Sequence, residues 1–239
     1  MINKKKILGF VPARMGSKGI KNKNLKILNK KPLIYWPINI LKKSKFVDTV
    51  LLSTDSAKIR KVGLKLGAEA PFLRPKRLAT DNAMTTDAIK HALKFFSKKN
   101  IFFDYIIVCD PTSPFTTSLD VDMAIKKLEI NSKKVDAVIS IAENIAGHPK
   151  FCVKLKKNSM VKPYFKKFHR PMRQNLDKIY YYCGNFYLSK VSTLLEKSTF
   201  YHDRAIAIVS ERYKAMEIDD PLDLILAEAI MKSRKYLKK

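Results

Sequence analysis

Short apolar runs alternate with amphipathic stretches along the first part of the chain. Ile7–Val11, Thr49–Ser53, Tyr105–Cys109 and Ala137–Ile141 are apolar runs of strand length. Continuous rather than alternating hydrophobicity predicts strands buried on both faces. Between them lie stretches of helical character. The first runs from Leu33 to Leu41 into Lys42 and Lys43 and starts near Pro32. Ala57–Leu66 follows, closed by Gly67 as a C-terminal stop, then Thr86–Phe96, then Leu119–Leu128 with Ser118 as the N-cap. Ala70–Leu73 reads as one more short strand. Repeated strand–helix–strand units predict an α/β fold: a mostly parallel sheet in a three-layer arrangement.

From Gly147 the pattern changes. Phe151–Leu155 followed by Lys156 to Asn158 has the look of a hairpin, and Tyr164 to Asn175 mixes aromatics and cations without helical period. Residues 147–178 do not fit a strand–helix–strand unit. They read as a long surface loop, although their apolar content argues against free solvation. Tyr180–Leu188 resumes as a strand, with Tyr180, Tyr181 and Tyr182 expected at strand and core positions. Ile206–Val209, Met216–Ile218 and a helix from Pro221 to about Tyr236 close the chain.

Composition bounds this picture. A chain of 239 residues with 46% hydrophobic content suffices for one domain spanning 1–239. No apolar run approaches the ~20 residues of a membrane span. The start, MINKKKILGF, is basic then apolar, but the apolar part is too short for a signal peptide, so a cytoplasmic protein is the default expectation. Cys109, Cys152 and Cys183 are odd in number and widely spaced, which indicates neither a disulfide framework nor a zinc site. The net charge of +27 fits either a nucleic-acid binder or an enzyme of anionic substrates. The cations are mostly lysines spread over every segment, which reads first as solvated surface.

Candidate chemistry collects at the ends of the predicted strands, where an open parallel sheet binds its ligands. Phe10 to Asn24, FVPARMGSKGIKNKN, places Gly16 and Gly19 among Arg14, Lys18, Lys21 and Lys23. Glycines let backbone amides approach an anion and the cations neutralise it, so the stretch reads as a polyphosphate cradle. It lacks both the Walker A and the G-x-G-x-x-G spacing, and a solvated basic turn reads as well from residue types alone. LLSTD and VCDPTSP end two further strands; Asp55 has no evident partner. Thr80-Asp81 reads as a helix N-terminal turn. His91, His148, His169 and His202 are scattered, with no metal-ligand spacing. In Glu217-Ile218-Asp219-Asp220-Pro221, Asp220 is a natural N-cap with Pro221 at the first helical position, and Asp223 suits the first turn. Glu217 and Asp219, if extended, share one face, as a hard divalent cation requires.

Four blocks, VPARMGSKGIKNKN, RPKRLATDNA at 74–83, DPTSPF at 110–115 and EIDDPLDL at 217–224, stand in an order and spacing that resemble the acylneuraminate cytidylyltransferases, the CMP-sialic acid synthetase family. The resemblance implies a nucleotide-diphospho-sugar transferase-like fold in which 147–178 is a dimerisation arm of a homodimer. It implies CMP transfer from CTP to the anomeric hydroxyl of a nonulosonic acid, a 2-keto sugar acid, with release of pyrophosphate. By the same resemblance Arg14, Gly16, Ser17, Lys18, Lys23 and Asn24 bind the nucleotide, and Arg74 and Thr85 lie at the cytosine. Asp110, Arg173 and Gln174 meet the sugar acid, Asp219 and Glu217 hold Mg²⁺, and Arg14, Lys23 and Asp219 serve catalysis. The chain departs from the family pattern at Met15, at Asp110 where many relatives carry Gln, at Thr116, and at Glu217, where the family has Asp. The departures at Asp110 and Thr116 bear on which sugar acid is used, not on the nucleotide chemistry; a diamino nonulosonic acid and KDO are the alternatives, and DPTSP in place of a GDEP-like block lowers the latter. A basic RNA-binding module is the alternative from another class.

Overall fold

A computed structural model describes residues 2–145, 147–165 and 172–233, with the side chain of Arg173 excepted. Arg170, half of the aromatic-cationic stretch, and the chain beyond Ser233 lie outside the described residues. In chain order the elements are β1 (Ile7–Pro12), β2 (Ile27–Leu28), β3 (Lys31–Pro32), α1 (Tyr35–Lys43), β4 (Thr49–Ser53), α2 (Ala57–Lys65), α3 (Thr85–Ser97) and β5 (Tyr105–Val108). They continue with α4 (Ser118–Ile130), β6 (Ala137–Glu143), β7 (Val153–Leu155), β8 (Val161–Pro163), β9 (Tyr180–Lys190), α5 (Val191–Lys197), β10 (Ala205–Val209) and α6 (Pro221–Lys232).

The central sheet has the order β10-β6-β9-β5-β1-β4. β1 pairs in parallel with β4 and β5, and β10 in parallel with β6. β9 enters between β5 and β6 and is antiparallel to both. Alternation along β1 divides the core between the two faces. Ile7 and Val11 join the cluster under α1, α2 and α4, while Leu8 and Phe10 join the one under α3 and α5. All four side chains are fully buried, which is why the run reads as continuously apolar. A third cluster, with Ile20, Leu28, Leu33, Phe115, Ile218 and Ala227, seats α6 against the loop after β1.

Several boundaries differ from the sequence reading. Thr117, not Ser118, caps α4, in a capping box with Asp120; the Thr hydroxyl bonds the Asp120 amide and the carboxylate returns the contact to the Thr117 amide. The first helix starts at Tyr35, because Lys31–Pro32 is held in a small hairpin with Ile27–Leu28. Ala70–Leu73 and Met216–Ile218 are not strands; the former is preceded only by an isolated bridge from Leu51 to Glu69. Tyr180, Tyr181 and Tyr182 stand in β9 but are exposed, since they pair with the end of β6 beyond the core. β7 and β8 form the expected hairpin, apart from the central sheet.

Candidate active site

β1, β4 and β5 end side by side, and the polar groups that follow them surround a cleft of about 620 Å³. Arg14, Ser17, Lys18, Lys23, Asn24, Arg74, Thr85, Asp110 and Asp219 all line it. Gly16, Glu217 and Gln174 do not. The backbone of Arg173 lies in a short 3₁₀ turn, Arg173–Asn175, and Gln174 is exposed.

The loop after β1 is fixed from both sides. Its chain direction is set where the Ala13 amide bonds the Ser53 carbonyl at 2.9 Å and the Met15 amide donates to Asp55 Oδ1 at 2.8 Å. Asp55 therefore has a partner, one that sequence spacing does not reveal because it is a backbone group. Asn24 is buried, and its amide donates to the Arg14 carbonyl at 2.8 Å, closing the loop on itself. A Cβ on Gly19 would fall 2.0 Å from the Asp219 carbonyl oxygen, so only glycine lets this loop rest on the 217–220 segment.

Three cations of the loop, Arg14, Lys18 and Lys23, are paired with carboxylates. Arg14 Nη1 lies 2.7 Å from Asp81 Oδ1 and Lys18 Nζ lies 3.0 Å from Asp81 Oδ2. Both contacts pull the Asp81 carboxyl below its ordinary range. Lys23 Nζ lies 2.9 Å from Asp219 Oδ1. Asp81 is the site residue the sequence reading missed. Local spacing places it in a turn before α3, and nothing there signals that it faces Arg14 across 67 positions.

Arg74 is buried, and burial lowers its pKa to about 10. Its Nε donates to Ser53 Oγ at 3.0 Å and its Nη2 to the Ser53 carbonyl, while its own amide bonds the Thr54 carbonyl at 2.7 Å. Much of the fork is thus spent on the end of β4, and Arg74 forms a wall of the cleft as much as a reader of ligand. Asp110 is pushed up to about 7 by burial first, then by the negative charges of Glu217 and Asp219, with Lys23 acting in the other direction. Glu217 is likewise raised, chiefly by burial. Its carboxylate accepts from the Gly184 amide at 2.6 Å and so faces β9 rather than the cleft. Among the described residues no three His, Cys, Asp or Glu side chains gather as a metal cage.

A second cavity of about 370 Å³ adjoins the first and shares Ala83, Thr85 and Asp110 with it. Its other walls include Met84, Val108, Tyr187, Thr199, Phe200 and Tyr201. Tyr187 stacks near Phe200 and Tyr201 at 5.6 and 6.1 Å between centroids. The arrangement is a basic, polar cleft and a smaller, more apolar one meeting at a single carboxyl group.

No helix among the described residues is long and apolar enough to cross a membrane. The backbone is similar to that of a CMP:2-keto-3-deoxy-manno-octonic acid synthetase complexed with CTP, with a TM-score of 0.68, 95% of this chain and 98% of the other covered, and 16% identity. In sequence the chain is 30% identical over 229 residues to a CMP-N,N'-diacetyllegionaminic acid synthase of Legionella pneumophila, covering 95% of this chain and 96% of that protein. It is 28% identical over 233 residues to an N-acylneuraminate cytidylyltransferase of Escherichia coli, covering 98% of this chain and 54% of that longer protein. The cytidylyltransferase family model matches residues 8–238, so the four sequence blocks and the cleft they build fall within one continuous match, and the chain belongs to the cytidylyltransferase family.

Proposed function

We propose that the chain transfers CMP from CTP to the anomeric hydroxyl of a nonulosonic acid, releasing pyrophosphate. The observation that carries this reading is the pair of cavities that meet at Asp110. The larger one, with Arg14, Lys18 and Lys23, suits a triphosphate. The smaller one suits a sugar whose substituents include apolar groups. The two reactants would then touch where the cavities join, and holding them there is the larger part of the catalysis.

In the reaction the anomeric oxygen attacks the α-phosphorus, the bond to the β-phosphate oxygen breaks, and pyrophosphate departs. Arg14, Lys18 and Lys23 would exchange their carboxylate partners for phosphate oxygens and stabilise charge on the leaving group. Burial raises the Asp110 carboxyl to about 7, which makes its protonated form accessible near neutrality. That reduces its repulsion of an incoming sugar carboxylate and places a proton acceptor beside the attacking hydroxyl. Asp219, exposed at the cleft and set against Lys23, is the carboxylate that would hold a magnesium ion there. Bound there, the ion would offset triphosphate charge. Arg74 and Thr85 would face the cytosine end of the cleft.

Gln174, a described residue, is absent from the walls of this chain's own cleft. That supports a homodimer in which the arm of one subunit serves its partner. The exposed apolar groups Val153, Leu155, Met160, Val161, Tyr164 and Phe165 on and beside the β7–β8 hairpin supply a surface for such an assembly. A diamino nonulosonic acid is the favoured member of the substrate class, on the apolar lining of the second cavity and the name of the Legionella relative. The RNA-binding alternative draws only on net charge. Pyrophosphate release from CTP, measured against a panel of 2-keto sugar acids, tests the whole reading. Turnover with a nonulosonic acid and not with KDO is expected; no turnover with any member of the panel overturns it.

A further inference from the structure

We propose that Glu217 is a positioning residue that ties the Asp219 segment to the central sheet, and not a metal ligand. The inference rests on the CTP reading above. Its basis is a break in the β6–β9 ladder. Ile139 faces Tyr187 and Ile141 faces Tyr182, so Ser140 alone stands opposite the four residues Cys183 to Phe186. The Ser140 hydroxyl donates to the Cys183 carbonyl at 2.5 Å, with the Phe186 carbonyl at 3.1 Å, and accepts the Phe186 amide at 3.2 Å, which ties the two edges of the bulge together. The Gly184 amide inside the bulge has no strand partner, and Glu217 Oε1 takes it at 2.6 Å.

A side chain at 184 would press on the Glu217 carboxyl group and displace it from the Gly184 amide. A Cβ there would stand 2.9 Å from Glu217 Cδ and 3.0 Å from both of its carboxylate oxygens. The rest of the segment has two more points of attachment. The Ile218 amide donates to the Thr112 carbonyl at 2.9 Å. The Asp219 carbonyl packs on Gly19 of the basic loop. A bond from Glu217 to β9 thus sets where Asp219 stands and where the loop bearing Lys18 and Lys23 rests. Glutamate reaches the sheet through one methylene more than aspartate has, which gives a physical reason for its presence at this position.

Two conservative variants separate the roles. Glu217→Gln keeps an oxygen that accepts the Gly184 amide but removes the charge a cation needs. Glu217→Asp keeps the charge but shortens the reach. Each is assayed for CTP binding by calorimetry in EDTA and for the magnesium concentration that half-saturates turnover. Thermal melting checks that each is folded. For a positioning residue, Glu217→Gln stays within threefold of wild type in both measurements. Glu217→Asp loses tenfold or more in metal-free CTP affinity. Gly184→Ala reproduces that loss, and combining it with Glu217→Asp adds little, because both break one contact. The reverse order, with Glu217→Asp near wild type and Glu217→Gln needing tenfold more magnesium, overturns the proposal. Loss in both variants or in neither overturns it too. Failure of wild type itself to bind CTP would strike the CTP reading rather than this one.

Discussion

Two glycines three positions apart in the basic loop make opposite predictions. Neither has a left-handed φ, so an alanine at either position meets no backbone strain of its own. At Gly19 the added Cβ lies 2.0 Å from the Asp219 carbonyl oxygen, 3.1 Å from its carbon and 3.8 Å from the Asp220 Cα. All three are backbone atoms, so no rotamer change relieves the overlap. The loop or the 217–220 segment must move by more than an ångström, a rearrangement that in packed interiors costs about 1–3 kcal/mol. At Gly16 the Cβ meets nothing within 4 Å. There the dominant effect is lower entropy in the unfolded chain, a gain of about 0.4–1 kcal/mol. Urea unfolding of Gly19→Ala and Gly16→Ala should therefore shift in opposite directions. CTP titration adds the functional half. Gly19→Ala should lose tenfold or more in affinity, because the loop's cations are displaced from their places. Gly16→Ala should lose affinity only if the open space beside Gly16 is where phosphate oxygens lie. Wild-type unfolding and wild-type CTP affinity in Gly19→Ala would refute the packing argument.

Four further outcomes are expected. Asp219→Asn should abolish magnesium-dependent turnover with little change in melting temperature, since the carboxylate is 73% exposed; Asp220→Asn should change little, because Asn also caps, whereas Asp220→Ala should cost about 1 kcal/mol in unfolding experiments. Asp110, raised from 3.8 to about 7, contributes stability that is complete below pH 4 and lost as pH rises through 7; unfolding free energies should show Asp110→Asn escaping this loss, whose ceiling is about 4 kcal/mol. Thermal shifts should be larger with CTP than with UTP, ATP or GTP, and Arg74→Ala should lower the unliganded melting temperature as well as the CTP shift, because the end of β4 loses the guanidinium bonds to the Ser53 hydroxyl and carbonyl. Light scattering should give a dimer mass; a monomer at high micromolar concentration would remove the arm from the site, and otherwise mixing an inactive Lys23 variant with an inactive Arg173 variant should restore partial activity.

The parallel strands were legible because burial on both faces leaves a continuous apolar signature, as at Ile7–Val11 and Tyr105–Cys109. The last helix was legible at its start because Asp220, Pro221 and Asp223 form a local capping box. The basic loop was legible from its composition, and most residues assigned to it line the cleft. What stayed hidden depends on pairing across long separations. Asp81 meets Arg14 and Lys18 only after β1 and the turn before α3 are brought together. Glu217 shares an extended face with Asp219 on paper, yet the bulge at Gly184 turns it away. The exposure of Tyr180 to Tyr182 reflects where β6 ends, which β9 does not encode in its own sequence.

Asp81 has a consequence for which anions the loop accepts. One carboxylate restrains two cations of the same loop, at 2.7 and 3.0 Å. A monophosphate that draws off one cation leaves the other competing to restore the original arrangement. A triphosphate long enough to engage both makes the second exchange intramolecular, at the high effective concentration that links tethered contacts. The restraint therefore grades anions by chain length.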